Sequence, residues 1–268
     1  MRRATLLAVA LVLAVLTACG GRVGNPLGTE YEYEEDLTLS LDGSATLVVN
    51  ASVPALVVLR GLALPVDLAS RADQLKEQVR ALYASSGTNV KRVNTWTRRN
   101  RRYVGVHVAV SDIRALPSVA PFSWSTYDLH TAGERVVFRQ TLSRPASAAS
   151  PSSVGLTGDE LIAFRLHLPA RIRFQNSRYL DRDQSRPTAR GNIVTWEQRL
   201  VDRLKGQPIA YAQDKKPDVM EAEMDRESIL YRTLWLFAIA FVAALAVLAG
   251  LIWFTMRRGD PAPSSHPR

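Results

Sequence analysis

Residues 36–53 read DLTLSLDGSATLVVNASV, and apolar side chains recur at every second position along most of this stretch. A period of two places alternate side chains on opposite faces of a β-strand, so the stretch predicts strands with one buried face. Asp42-Gly43 interrupts the alternation, and this dipeptide is typical of a two-residue type I′ turn. Residues 31–53 are therefore predicted to form a β-hairpin.

Residues 67–84 show the helical period instead. The apolar side chains that share one helical stripe are Leu68, Ala72, Leu75, Val79, Leu82 and Tyr83. This spacing predicts an amphipathic helix. Ser70 with Asp73 is a candidate capping box, and Gly87 is placed to end the helix. The structure of the apolar run 56–64 stays open at this stage.

Further segments repeat the strand period. Residues 89–110 predict a second hairpin that turns at 98–102, and residues 122–142 predict a third that turns at 131–133. Residues 162–168 and the stretch through Trp196 add single strands. The predicted fold class is α+β: a mostly antiparallel β-sheet with one main amphipathic helix, followed by a C-terminal transmembrane helix.

The predicted transmembrane helix contains the uncharged stretch 234–254, LWLFAIAFVAALAVLAGLIWF. At about 1.5 Å per residue, a helix of this length spans roughly 30 Å, the thickness of the hydrocarbon core of a bilayer. A buried core helix is the alternative, but the stretch has no polar face. Arg257 and Arg258 follow it, so the positive-inside rule places the C-terminus in the cytoplasm and the preceding chain outside.

The N-terminus has the features of an export signal. Met1-Arg2-Arg3 is positively charged, and the apolar run 4–16 that follows is too short to span a membrane comfortably. Leu16-Thr17-Ala18-Cys19-Gly20 resembles the bacterial lipobox. This resemblance implies that residues 1–18 are removed and that Cys19 carries a diacylglycerol, with fatty-acyl chains such as palmitate. The alternative is an ordinary signal peptide or a membrane anchor with an incidental cysteine.

These features divide the chain into six predicted segments. They are a lipoprotein signal peptide at 1–18, a flexible spacer after the lipidated cysteine at 19–29, an exported α+β domain at 30–212, a juxtamembrane segment at 213–232, a transmembrane helix at 233–256 and a cytoplasmic tail at 257–268. The expected location is the cell membrane, with a single pass and with the N-terminal domain outside the cytoplasm, lipid-anchored at Cys19.

The composition indicates which partners to expect. Lys and Arg number 34 against 25 Asp and Glu, so the formal net charge is +9, which favours anionic surfaces. An exported protein rarely meets nucleic acid, so we expect membrane lipid or an acidic envelope polymer as the partner, with an envelope protein as a further possibility. A single cysteine excludes an intramolecular disulfide and a cysteine metal cluster.

No catalytic motif stands out: a P-loop, a nucleophile elbow and an HExxH pair are all missing from the sequence. His107, His130 and His167 lie on or beside different predicted strands, so only tertiary folding could join them as metal ligands. We therefore expect no enzymatic activity, no catalytic residue, no metal and no cofactor. The alternative is an envelope enzyme or assembly factor whose site forms only in the folded structure. A closed apolar pocket would favour a lipid ligand, and clustered buried polar groups would favour catalysis.

One patch in residues 91–103, KRVNTWTRRNRRY, stands apart. The side chains that we predict to bind an anionic headgroup or polymer are Trp96, Arg98, Arg99, Arg101, Arg102 and Tyr103. Arginine binds phosphate through two parallel hydrogen bonds, and aromatic rings favour the headgroup level of a membrane. If the patch serves binding alone, replacing its four arginines by serine should leave the fold intact. The alternative is a solvated turn in an arginine-rich sequence.

Short motifs in a fixed order suggest a family. They are Cys19, Leu41-Asp42-Gly43-Ser44, Leu168-Pro169, Asn176, Gly191 and Trp196, followed by the apolar C-terminal stretch, with Ala170 standing where a glycine is expected. This order resembles the LppM-like family of bacterial lipoproteins. The resemblance covers most of the predicted exported domain and implies a small α+β domain, binding of envelope lipid and no known catalytic residue. We therefore expect a membrane-anchored lipoprotein whose exported domain binds an envelope ligand, either lipid or a partner protein.

Overall fold

The computed structural model describes residues 30–143, 150–178, 180, 189–210 and 218–258. The chain divides into one unit, Met1–Tyr31, and a second unit, Glu32–Arg268, whose fold is described below. The predicted signal peptide, Cys19 and the spacer lie outside the described residues, and so does the tail after residue 258.

The fold class is α+β, as the sequence predicts. The strands in the described part of the chain are β1 Tyr31–Leu39, β2 Ala45–Ser52, β3 Thr88–Arg98, β4 Arg101–Val110, β5 Ser125–Ala132, β6 Arg135–Leu142, β7 Leu161–His167, β8 Ala170–Gln175, β9 Ala189–Arg190, β10 Ile193–Arg199 and β11 Val219–Ser228. The α-helices are α1 Val53–Arg60, α2 Ala72–Tyr83, α3 Leu200–Leu204 and α4 Ile229–Arg258. Short 3-10 helices lie at Ile113–Ser118, Ala120–Phe122 and Pro151–Val154.

The strands form two sheets around one core. The large sheet has the order β3-β4-β2-β1-β7-β10-β9, and the small sheet has the order β5-β6-β11-β8. Leu47 and Val49 of the large sheet belong to the same buried cluster as Phe138 and Met224 of the small sheet. The alternation along each strand therefore buries the facing sides of both sheets together.

The first predicted hairpin is confirmed, but its turn is longer than predicted. Five residues, 40–44, connect β1 and β2, and the backbone N–H of Ser40 donates to the carbonyl of Ser44 at 2.8 Å. Gly43 has a φ of 91°, whereas Asp42 is not among the described residues with a positive φ. A type I′ turn requires positive φ at both central residues, so the predicted two-residue turn is wrong. Asp42 accepts hydrogen bonds from both the backbone and the hydroxyl of Ser44, which closes the longer loop.

The second predicted hairpin is confirmed as β3 and β4, and here the two-residue turn occurs. Arg98 pairs with Arg101, and the two residues between them, Arg99 and Asn100, have φ values of 48° and 56°. Positive φ at both central positions is the type I′ geometry, which is uncommon for a side chain as large as arginine. We call residues 98–102 the arginine tip. The third predicted hairpin is confirmed as β5 and β6, but its turn is Gly133-Glu134 and not 131–133, because Thr131 and Ala132 still pair with β6.

The apolar run that the sequence left open forms most of α1. Ser52 caps this helix by accepting a hydrogen bond from the backbone N–H of Ala55 at 3.1 Å, and Gly61 follows it in the left-handed region at a φ of 64°. Val53, predicted to continue the strand, is instead the first helical residue. The reason is local, because Ser52 with Pro54 is a strong helix-start signal.

The predicted amphipathic helix is confirmed as α2, with a later start. It begins at Ala72 because residues 67–70 form a turn in which Asp67 accepts a hydrogen bond from the backbone of Ser70 at 2.8 Å. The predicted capping box at Ser70 is therefore wrong. The cap that follows the helix is Ala84, not the predicted glycine.

The sequence does not predict β8 and β11. β11 lies between β6 and β8, and its inward-facing residues include the buried Met220 and Met224. Its outward-facing acidic residues pair with arginines of the two neighbouring strands: Glu221 with Arg139, Glu223 with Arg135, and Asp225 with Arg173. The fold therefore extends to residue 228, beyond the predicted domain end at 212 and into the predicted juxtamembrane segment.

β11 continues directly into α4. The backbone N–H of Ile229 donates to the carbonyl of Pro169 at 3.0 Å, and the hydroxyl of Ser228 accepts from the backbone of Leu230. α4 is long and apolar enough to cross a membrane, and none of its most apolar stretch is buried against the rest of the protein. The helix predicted at 233–256 is thus present, four residues longer at its start.

Candidate functional site

The arginine tip lies at the end of the large sheet opposite to α4. Arg101 contacts Glu160, the residue before β7, with an Nη2–Oε1 distance of 3.2 Å. Two residues after β7 ends, Pro169 bonds the first residue of α4. The nine steps along the chain from Glu160 to Pro169 span roughly 30 Å at about 3.3 Å per strand residue. The tip is therefore separated from the start of α4 by about the length of a strand.

Arg101 is held by two carboxylates. Its Nη1 lies 2.6 Å from Oε1 of Glu32, and its Nη2 also donates to the carbonyl of Gly155 at 2.7 Å. The Tyr103 hydroxyl donates to the same Glu32 oxygen at 2.7 Å. Glu32 is only 5% exposed, so its charge requires these donors. Arg101 therefore stabilises the fold at the base of the tip.

The protonation states of this network follow from its contacts. Burial, together with the hydrogen bond to Glu32, raises the pKa of Tyr103 to about 12. Burial opposes ionisation of Glu160, but hydrogen bonds from the backbone of Thr157 and Gly158 outweigh it and lower the pKa of Glu160. The network therefore holds a neutral Tyr103 and an ionised Glu160 beside the charge of Arg101 at neutral pH.

The other predicted site residues form a stack beside this network. The rings of Trp96 and Tyr103 lie 5.6 Å apart and nearly parallel, and the guanidinium of Arg98 lies 4.6 Å from the Tyr103 centroid. Trp96 is 37% exposed, whereas Tyr103 is 2% exposed. Tyr103 therefore supports the tip from inside and does not reach the headgroup level predicted for it. Arg102 donates to the carbonyl of Leu68 at 3.0 Å.

Arg99 and Asn100 are the members of the tip that project furthest into solvent, since both are exposed. They border a cavity of about 240 Å³. Its lining residues are Pro54, Val66, Arg99, Asn100, Arg101, Val154 and Gly155. The cavity thus combines a small apolar floor with guanidinium and amide groups, a combination suited to a small anionic group.

A second polar cluster lies in the core between the two sheets. Glu35, 2% exposed, accepts hydrogen bonds from the hydroxyls of Tyr33 at 2.8 Å and Tyr127 at 3.1 Å, and from the amide of Gln140 at 3.0 Å. These contacts join β1 of the large sheet to β5 and β6 of the small sheet. They tie the two sheets together at a defined register.

Arg60 at the end of α1 lies beside this cluster. Its guanidinium is sandwiched by two aromatic rings, 3.2 Å from the centroid of Trp124 and 4.3 Å from that of Tyr33. A cluster of buried polar groups can mark a catalytic site, but a catalytic group must also be accessible to the substrate. Arg60 is only 6% exposed, and Glu35 is buried as well. A substrate could not reach either group in this conformation. The arrangement accounts for stability by cation–π contacts and buried hydrogen bonds.

The buried tyrosines make the cluster measurable by titration. Burial raises the pKa values of Tyr33, Tyr83 and Tyr127 above the ordinary value, as it does that of Tyr103. A tyrosine with a raised pKa contributes stability that is fully present below the unfolded pKa of about 10. This contribution is lost as the pH rises through the folded pKa. We expect these four of the eight tyrosines to resist ionisation in the folded protein and to ionise near pH 10 in denaturant. Tyrosinate absorbance against pH measures this, and full ionisation near pH 10 without unfolding would contradict it.

The three histidines do not come together. His107 lies on β4, His130 on β5 and His167 on β7, and the first two are on different sheets. His130 contacts Asp128 at 2.8 Å, and His167 contacts Asp36 at 3.1 Å. Across the described ranges, no group of three or more His, Cys, Asp and Glu side chains is placed to hold a metal ion.

Comparison with known proteins adds little to this geometry. No family model and no curated protein matches the chain. Among solved structures, the chain is similar to the NMR structure of the folded domain of LppM from Mycobacterium tuberculosis. The two are 16% identical, the match covers 76% of this chain and 95% of that one, and the TM-score is 0.35. This is a weak structural neighbour of the type that the sequence motifs suggest, and it does not establish the family.

Proposed function

We propose that this chain is a single-pass membrane lipoprotein whose exported α+β domain binds an anionic ligand of the cell envelope at the arginine tip. The observation that supports it is α4, an exposed apolar helix that continues from β11 without a linker. An apolar surface of this size is unfavourable in water and favourable in a bilayer. In this proposal, acylation of Cys19 supplies the second anchor and keeps the domain outside the cytoplasm, so that α4 leads to a cytoplasmic C-terminus.

The position of the tip limits which ligands it can reach. Because the tip lies roughly 30 Å along the strands from the start of α4, an upright domain presents it away from the membrane that α4 crosses. It would meet the headgroups of that membrane only if the domain lay on its side. The ligand that fits best is therefore an anionic envelope polymer, with an acidic partner protein as the alternative.

The residues of the tip divide between support and contact. Arg101 and Tyr103 hold the turn through Glu32, and neither is free to change partners cheaply. Arg99 and Asn100 are exposed at the cavity, so they are the residues that we assign to ligand contact, with Trp96 and Arg98 beside them. An arginine fork and an amide together satisfy several oxygens of a phosphate or carboxylate group.

Binding of an anionic polymer tests this assignment. Full-length protein in nanodiscs of uncharged phosphatidylcholine would be titrated with inorganic polyphosphate, so that the bilayer does not compete. We expect Arg99→Ser to weaken binding about tenfold, since a hydrogen-bonded charged group contributes roughly 1.5–3 kcal/mol. The attraction should fall with salt, which screens exposed charges beyond about 8 Å at physiological ionic strength.

Arg92→Ser is the matched control, because Arg92 is also exposed on β3 but lies six residues before Arg98. It removes the same charge and should leave polyphosphate binding within about twofold, as expected of a distant surface charge. Equal losses in both variants would show a general charge effect and not a site at the tip. No binding at low salt by the unmodified protein would overturn the proposal.

A further inference from the structure

A separate group of arginines surrounds the point where the chain enters α4. We call these residues the base arginines: Arg171 and Arg173 of β8, Arg226 of β11 and Arg232 of α4. The carboxylates nearest in sequence are Asp225 and Glu227. The base therefore carries an excess of positive charge at the edge of the apolar helix.

The strand pairing explains why these side chains are exposed together. Ser228, the last residue of β11, pairs with Ala170, the first residue of β8. Between Met224 and Ser228 the register shifts, so β11 carries extra residues there and Arg226 bulges outward. Arg171 follows Ala170 directly, and it is exposed as well.

The charges of the base are only partly neutralised. Arg173 forms a bidentate pair with Asp225, with nitrogen–oxygen distances of 2.6 and 3.0 Å. This hydrogen bond lowers the pKa of Asp225, and the nearby charges of Arg171 and Arg232 lower it further. Asp225 is thus already satisfied by Arg173. Within the described ranges, the guanidinium groups of Arg171, Arg226 and Arg232 form no hydrogen bond.

The membrane lies within reach of these arginines. Arg232 is two residues before the uncharged stretch that begins at Leu234, a rise of only about 3 Å along the helix. Ile229 is bonded to Pro169, so the β7–β8 turn and the start of β8 are fixed beside the same helix. When α4 is in a bilayer, the phosphates of the lipid headgroups therefore lie close to these guanidinium groups.

We propose that Arg171, Arg226 and Arg232 form a membrane-docking surface that binds the anionic headgroups of the bilayer that α4 crosses. The surface rests on the proposed function, in that α4 must span the membrane. Docking of the base would hold the domain upright and keep the arginine tip away from that bilayer. The headgroup contact that the sequence suggested for the tip then belongs to the opposite end of the domain.

Headgroup quenching measures docking directly. Full-length protein carrying Glu134→Cys, in the exposed β5–β6 turn beside the small sheet, would be labelled with a fluorophore. It would be placed in nanodiscs of phosphatidylcholine, with or without phosphatidylglycerol, that carry a nitroxide quencher on some headgroups. We expect stronger quenching with phosphatidylglycerol and its loss at high salt. The parent protein without Glu134→Cys reports any label on Cys19.

Paired variants decide whether the base arginines cause the quenching. Arg171→Gln with Arg232→Gln should reduce the ratio of docked to undocked domain roughly 25-fold, at about fivefold for each charge near an anionic surface. Arg71→Gln with Lys76→Gln removes the same charge at the start of α2, a helix whose main contacts are with β3 and β4 and not with α4, and should leave quenching unchanged. Arg171→Lys with Arg232→Lys keeps the charge and should retain most of it.

Each outcome bears on a different claim. Equal quenching by the two glutamine variants at low salt would overturn the docking surface, because the arginines would then be merely solvated. If the glutamine variant lost its folded circular dichroism spectrum, the lysine variant would decide the question, and its failure to dock would also overturn the proposal. Failure of the unmodified protein to copurify with nanodiscs would instead overturn membrane anchoring by α4.

Discussion

Removing either membrane anchor alone should leave the exported domain in the membrane fraction, and only removal of both should release it. If α4 spans the membrane as proposed, its roughly twenty apolar residues make the insertion effectively irreversible. An acylated Cys19 carries more than one chain, and two acyl chains also hold a protein stably on a membrane where one is marginal. Each anchor is therefore sufficient, and the expected change from the double variant is all or none.

Four versions of the protein test this prediction. The unmodified chain is compared with a version ending at Ser228, with one in which a cleavable, non-lipoprotein signal replaces residues 1–19, and with one carrying both changes. Replacing the signal is preferable to Cys19→Ala, because an unprocessed signal would keep its own apolar anchor. Ending the chain at Ser228 retains every residue of β11 and therefore the small sheet.

Fractionation of cells gives the result. Release of the version that lacks only α4 would show that Cys19 is not acylated, and release of the version that lacks only the lipid signal would show that α4 does not span. Protease added outside intact spheroplasts reports the orientation, since it should remove the domain and spare a tag after Arg268. A protected domain would reverse the predicted topology.

The parts of the fold that the sequence predicts are those determined by neighbours in the chain. The three hairpins are local, because each strand pairs with the next and the alternation of apolar residues selects the buried face. The sequence did not predict α1, because a run of apolar residues bounded by prolines has no clear period. The cap at Ser52 shows that this segment is helical. The predicted two-residue turn at Asp42-Gly43 is wrong because a dipeptide motif alone does not determine the register of the two strands that it connects.

The pairing of β8 and β11 could not be predicted because their partners are distant in the sequence. β11 pairs with β6 across more than eighty residues, as the hydrogen bonds of Arg139 to Glu221 show. Along β11, Met220, Ala222 and Met224 alternate with Glu221, Glu223 and Asp225, a strand signal that the sequence prediction missed. Only the arginines of β6 and β8, placed opposite by the fold, make those carboxylates compatible with a sheet.

The candidate site shows the same limit. The sequence identifies the arginine cluster and the aromatic residues beside it, but it assigns all of them to one role. The partner of Arg101 is 69 residues away at Glu32, and the next is 59 residues away at Glu160. No local pattern indicates that Arg101 will meet two carboxylates so distant in the sequence. The fold divides a cluster that is uniform in sequence into supporting and exposed members.

This division predicts unequal effects on stability within one turn. Arg101→Ser should lower the free energy of unfolding by about 2–4 kcal/mol, because it leaves the buried carboxylate of Glu32 without its cationic partner. Arg99→Ser, two residues away and exposed, should change it by less than about 0.5 kcal/mol. Replacement of all four arginines by serine should then lower the free energy of unfolding by at least as much as Arg101→Ser, in contrast to the expectation from the sequence.

Urea unfolding of the released fragment, residues 20–228, measures both free energies. Glu32→Gln is the companion variant, since it removes the charge while keeping an oxygen that can accept from Tyr103. If the ion pair is the cause, combining it with Arg101→Ser should cost less than the two single changes together, by roughly 1 kcal/mol or more. Additive losses would mean that Arg101 acts through its contacts with Gly155 and Glu160 instead. Equal, small losses from Arg101→Ser and Arg99→Ser would show that the network contributes nothing, and the tip would then be a solvated turn.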